Sequence, residues 1–197
     1  MAAVVCYSAR MRFPLVFLAF VLCAIALQAQ TPAGSAPSID SKQVYQACAG
    51  QWAGTLEYRD FQSDARVSLP TNLETVVAPD RNSLRLTYTY DDGPGKIVHE
   101  SSTLSIDSEK HTVTISSDRS KSSEQLAISS IDEVARTKRL TLICSGAGEE
   151  NNKKVEVRST LSCSPNTLTW LRETRLPGQA FTFRDKYTLT RWPIQTH

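Results

Sequence analysis

Arg172 and Asp185 are the residues whose chemistry stands out most, because each falls on a strand face otherwise made of apolar and aromatic side chains. Successive residues of a strand point to opposite sides. Residues 179–192 therefore place Phe181, Phe183, Asp185, Tyr187, Leu189 and Arg191 on one face, and residues 167–176 place Leu168, Trp170, Arg172 and Thr174 on one face. In residues 83–91, Leu84, Leu86, Tyr88 and Tyr90 share a face. A charge set among such groups must be paired or wetted. Two readings stay open. In the first, Tyr88, Tyr90, Trp170, Phe181, Phe183 and Tyr187 wall a cavity for an amphipathic ligand, and Arg172 meets its carboxylate. In the second, Arg172 and Asp185 satisfy each other and the aromatic rings fill a solid core.

No other constellation points to catalysis. Gly-x-Ser-x-Gly, His-Glu-x-x-His and Cys-x-x-Cys are missing from the chain, and His99 and His111 have no companion at metal-ligand spacing. Glu149, Glu150, Asn151 and Asn152 read as the solvated tip of a hairpin rather than as a calcium loop. The expectation is a protein that is not an enzyme and needs neither cofactor nor metal.

The elements that must carry these residues begin after residue 29. Arg10 and Arg12, followed by the uncharged run Phe13 to Leu27 and by small residues at Ala24, Ala26 and Ala29, have the form of a secretory signal peptide. The run is too short to span a bilayer comfortably. The expected division is signal peptide over 1–29, flexible Pro/Ser/Ala-rich leader over 30–44 and one folded domain over 45–197. Without its signal the chain has equal numbers of acidic and basic residues and no basic cluster, so neither nucleic acid nor an anionic membrane is an expected partner. No stable membrane insertion is expected after cleavage, and no protein partner is specified.

Three cysteines follow the signal: Cys48, Cys144 and Cys163. In an oxidising compartment a pair of them can bond. Counting strands up and down puts Cys48 and Cys163 at one end of the fold and Cys144 at the other. If residue 144 faces about residue 155, Cys144 and Cys163 are roughly 26 Å apart. Cys48 with Cys163 is the expected bridge.

From residue 51 onward, short runs rich in Val, Ile, Leu, Thr and Tyr alternate with polar residues and are separated by turn signals such as APDRN, DDGPG, GAGEENN and LPGQ. Ten runs are readable, near 51–60, 66–78, 83–91, 96–106, 110–117, 124–132, 138–146, 153–163, 167–176 and 179–192. The fold class expected is all-β, an antiparallel up-and-down barrel of about ten strands. Residues 41–49 make a helical turn against it. With Pro177 and Gly178 central in the last hairpin, Trp170 faces Asp185 and Arg172 faces Phe183. The opposite parity of Ile97 and Leu104 calls for a bulge in the fourth run.

Gly50-Gln51-Trp52 at the head of the first run, with Arg191 near the end of the last, resembles the calycin pattern of lipocalins and fatty-acid-binding proteins. That resemblance implies that Trp52 plugs the closed end of the barrel with Arg191 across its ring, and that an inward arginine such as Arg172 meets a ligand carboxylate. The ten-strand count is also similar to nitrobindin-type haem barrels, whose iron ligand is a histidine on a late strand. Residues 167–192 contain no histidine, and this departure speaks against haem. The function expected is an exported, periplasmic or extracellular binding protein for a small apolar or amphipathic ligand. Its alternative is a solid-core structural or interaction barrel of the cell envelope.

Overall fold

The computed structural model describes residues 40–192; the signal peptide, most of the leader and His197 lie outside the described residues. A helix, α1 (Ser41–Cys48), precedes ten strands: β1 (Gly50–Arg59), β2 (Arg66–Val77), β3 (Ser83–Asp91), β4 (Ile97–Asp107), β5 (Thr112–Ser117), β6 (Ser123–Val134), β7 (Arg139–Glu150), β8 (Lys153–Cys163), β9 (Thr167–Arg175) and β10 (Thr182–Arg191). Each strand pairs antiparallel with the next, and β1 pairs with β10, so the sheet closes into a barrel. Closure satisfies the backbone groups that an edge strand would leave open.

The alternation in the sequence decides what lies inside. Leu84, Leu86, Tyr88 and Tyr90 of β3 are buried, while Arg85 between them faces outward to Asp118. On β8 Val155, Val157, Ser159, Leu161 and Cys163 are buried, with Lys154, Glu156 and Arg158 outside. Such a polar outer face is the reverse of the apolar band of a membrane-spanning barrel. Among the described residues no helix is long and apolar enough to cross a membrane.

α1 closes one end. Asp40 caps it by accepting from the Lys42 and Gln43 amides. Val44, Tyr45 and Cys48 are buried beneath it, and the Tyr45 hydroxyl donates to the Asn82 carbonyl at 3.0 Å and accepts from the Ile106 amide at 2.7 Å. The helix starts at Ser41, inside the segment expected to be leader, and runs for 8 residues rather than a single turn. Below it Trp52 is buried, donating from Nε1 to Cys48 O and Thr75 Oγ1 at 3.2 Å each. The Arg191 guanidinium stacks on the indole at 4.2 Å and donates to the Pro165 and Ala49 carbonyls. Gly50 makes room for it: with φ at +147°, an added Cβ would stand 2.2 Å from Arg191 Nη1. Cys48 and Cys163 form a disulfide across this end, linking residues 115 apart in sequence.

Three expectations need correction. β4 pairs with β3 in unbroken register, so the fourth run has no bulge there; Ile97 points outward and is 54% exposed, and Val98 takes the inward parity. β7 does not stop at residue 146 but continues to Glu150. The turn is made by Asn151 and Asn152, both in the left-handed region that a two-residue hairpin requires. With that longer hairpin, Cys144 faces Ser159 and Cys163 faces Leu140. Cys144 is thus buried in the middle of the barrel, not at the far end.

Candidate functional site

The barrel interior is stratified. Near α1 the inward positions carry Trp52, Leu84, Leu104, Leu142, Leu168 and Leu189, all buried. Further up the same strands the inward series changes character, to Glu100 on β4, Ser117 on β5, Glu124 on β6, Gly146, Gly148 and Glu150 on β7, and Arg172 on β9. Small and charged residues cannot fill the taper as leucine does, and a cavity of about 490 Å³ remains. It opens at the end opposite α1, where Phe61 of the β1–β2 turn and Asn151 of the β7–β8 turn line it.

Six of the eight residues expected on its wall are there: Tyr88, Tyr90, Trp170, Arg172, Asp185 and Tyr187. The tyrosines form one surface. Tyr88 stacks on Tyr90 with centroids 5.7 Å apart, Tyr187 tilts against Tyr88 at 5.4 Å, and Trp170 stands 6.4 Å from Tyr187. The Tyr90 and Tyr187 hydroxyls share a hydrogen bond of 2.8 Å, and Trp170 Nε1 donates to Ser159 Oγ at 2.7 Å. Burial pushes the pKa of all three phenols up, so they stay neutral.

Phe181 and Phe183 are not on the wall. Leu176 and Gln179 do close the turn around Pro177 and Gly178, but the pairing then slips, and a bulge falls between Phe183 and Asp185. Trp170 consequently faces Tyr187, and Arg172 faces Asp185. A bulge of one residue reverses the parity of everything before it. Phe183 therefore lies outside under Arg66, at 3.9 Å, and Phe181 outside between Arg158 and Arg175, at 4.3 and 4.4 Å.

The same bulge brings an unexpected residue into play. Arg184 lines the cavity, with its Nε 2.6 Å from Glu150 Oε1 and its guanidinium 3.8 Å from the Phe61 ring. Glu150 also accepts from Thr174 Oγ1 at 2.8 Å, so it belongs to the interior and not to a solvated tip. Arg172 does not pair with Asp185 either. Its Nη1 and Nη2 donate to Glu124 Oε2 and Oε1 at 2.5 and 2.7 Å, a two-pronged contact across the barrel. Gly148 leaves space for that carboxylate, since a Cβ there would lie 3.1 Å from Glu124 Oε1 and 2.6 Å from a Val157 methyl. Glu124 had a readable signal, its shared parity with Leu126, and Glu150 shares parity with Leu142 and Cys144. Arg184 had none, because only the bulge turns it inward.

Asp185 is left without a hydrogen bond or ion pair to any described residue. Its pKa is pushed up to about 6, chiefly by burial; Arg172 and Arg184 pull it down and Glu124 and Glu150 push it further up. A carboxyl whose folded pKa lies above its ordinary 3.8 stabilises the fold least when ionised, so stability is lost as pH rises from 3.8 through about 6. Asp185→Asn is expected to raise stability at neutral pH by about 2–3 kcal/mol and to change it little near pH 4. Urea titrations at the two pH values check this; an equal effect at both would contradict it.

No cavity-lining residue is a histidine, and His99 sits instead on the outer surface beside Thr89. The described residues contain no cluster of His, Cys, Asp and Glu that could hold a metal ion. Cys144 is buried among aliphatic groups that push its thiol up to about 12, which leaves it unreactive.

No family model matches the chain, and no curated protein matches its sequence. Among solved structures, the crystal structure of Rv2717c from M. tuberculosis is similar in fold. Its TM-score is 0.55 at 15% identity, over 79% of this chain and 99% of that one. At that identity the likeness concerns the barrel alone.

Proposed function

We propose that this protein is an exported carrier or sensor that holds a small amphipathic molecule in the open end of a calycin-like barrel. The observation that carries the reading is the void of about 490 Å³ walled by three tyrosines and Trp170. Pockets that enclose small molecules fall in this size range and combine aromatic walls with a few polar groups. A solid interaction barrel would continue the leucine layer upward; here Ser102, Ser117, Glu124 and Arg172 line the space where that filling would be. The disulfide between Cys48 and Cys163 supports an oxidising compartment, in keeping with the signal-like residues 1–29.

Titration with the neutral dye Nile red tests the cavity. Wild-type protein is expected to bind it with a fluorescence rise, and Ser117→Trp, which puts an indole into the void, to lose most of that binding. Native mass spectrometry of protein recovered from its own compartment is expected to show a retained small molecule. Dye binding unchanged by Ser117→Trp would place the dye elsewhere, and the absence of both dye and retained molecule would leave the interaction barrel as the better reading.

A further inference from the structure

We propose that the molecule held by this cavity is an organic cation, a protonated or quaternary amine with an aromatic or alkyl body, and that Asp185 is its counter-ion. The inference rests on the cavity reading above and deepens it. The positive charge lining the cavity is already committed. Both arginines that line the cavity are engaged: Arg172 by both oxygens of Glu124, and Arg184 by Glu150. An incoming carboxylate would have to displace a built-in carboxylate from a well-formed pair, which removes the role in ligand capture expected for Arg172.

The acidic side has a surplus. Glu100 pairs with Arg119, and the carboxylate of Asp185, which also lines the cavity, pairs with nothing described. A carboxyl group so placed is costly unless a partner arrives. The wall beside it is built from Tyr88, Tyr90, Tyr187 and Trp170, whose ring faces attract cations and whose neutral hydroxyls add no competing charge. A carboxylate at one point and aromatic rings around it form the chemistry that recognises an ammonium group.

The groups facing Asp185 decide its pH behaviour: Arg172 from β9, Arg184 from β10 itself, Glu124 from β6, Glu150 from β7, the three tyrosines, and Tyr58, its backbone partner on β1. Glu124 and Glu150 are held by Arg172 and Arg184, and burial keeps Tyr88, Tyr90 and Tyr187 neutral. Cation binding should therefore follow ionisation of Asp185, strong above about pH 6 and weakening below it.

Calorimetric titration with three probes of one shape, phenylpropyltrimethylammonium, phenylpropanol and phenylpropanoate, tests the proposal. The permanent charge of the first keeps its own ionisation out of the result. The ammonium probe is expected to bind at least about tenfold more tightly than the carboxylate probe at pH 7.5, and about tenfold more weakly when the pH is lowered to 5. Asp185→Asn, whose neutral side chain suits burial and whose melting temperature is checked alongside, should lose about tenfold for the ammonium and nothing for the alcohol. Glu74→Gln, on the outer face of β2, should leave all three affinities as they are. If the carboxylate or alcohol binds as tightly as the ammonium, or Asp185→Asn keeps the wild-type affinity, the cation proposal fails and the cavity reading stands. If none of the three binds, the cation proposal fails, and the cavity reading falls with it only where Nile red and a retained molecule are absent as well.

Discussion

Replacing Cys48 and Cys163 together by serine is expected to lower stability by about 4–5 kcal/mol, as cross-linking residues 115 apart removes a large share of the unfolded chain's freedom. The loss should not be uniform across the molecule. Cys48 ends α1, and the disulfide ties this short helix to the start of the β8–β9 turn, over the buried Trp52. Without the bond, α1 is held by the burial of Val44 and Tyr45 and by the two hydrogen bonds of the Tyr45 hydroxyl. Amide exchange should therefore quicken first at Val44 to Cys48, and the Trp52 environment should become wetter before the sheet opens. Denaturant titration, amide exchange and intact mass give three readouts. The bond is refuted if reduction leaves the wild-type mass unchanged, and its energetic weight is refuted if the denaturation midpoints of wild type and double variant coincide.

Strand number, hairpin order and the disulfide were readable from residues because each rests on a local rule. Alternation marks a half-buried strand, short polar separators mark antiparallel neighbours, and strand parity keeps Cys48 and Cys163 at one end. Errors fell where one residue changes the count. Phe181 and Phe183 carry as strong an apolar signal as Tyr187, but the residue inserted at Arg184 turns them outward, where Arg66, Arg158 and Arg175 cover them. Phenylalanine beneath arginine on a surface looks the same in sequence as phenylalanine in a core. Gly146 and Gly148 have turn chemistry, yet β7 runs through them to Glu150, and Leu126, Val157 and Glu124 pack into the space a side chain there would take. The charge pattern of the site was hidden for another reason. Arg172 meets Glu124 from 48 residues away and across the barrel, a pairing that no hairpin register reports.

That pairing makes the energetics of the site non-additive. Glu124→Gln removes the carboxylate that holds Arg172, and a buried guanidinium left alone costs several kcal/mol. Asp185, directly across on β10, can take its place, because it is unpaired and faces Arg172 in the register. The single variant is therefore expected to lose only about 2 kcal/mol, with the pKa of Asp185 falling toward its ordinary value as it gains the arginine. Asp185→Asn alone should gain about 2–3 kcal/mol at neutral pH. Addition would leave the double variant near wild type. The structure leads to a different result: with both carboxylates gone, Arg172 keeps only Glu150 nearby, which already holds Arg184, and the double variant should lose about 3 kcal/mol, a coupling as large as any usually seen between neighbouring residues. Chemical denaturation of the four proteins at one neutral pH closes the cycle. Additive values would mean that Arg172 does not turn to Asp185, and that solvent in the cavity mouth screens the guanidinium well enough for it to stand alone.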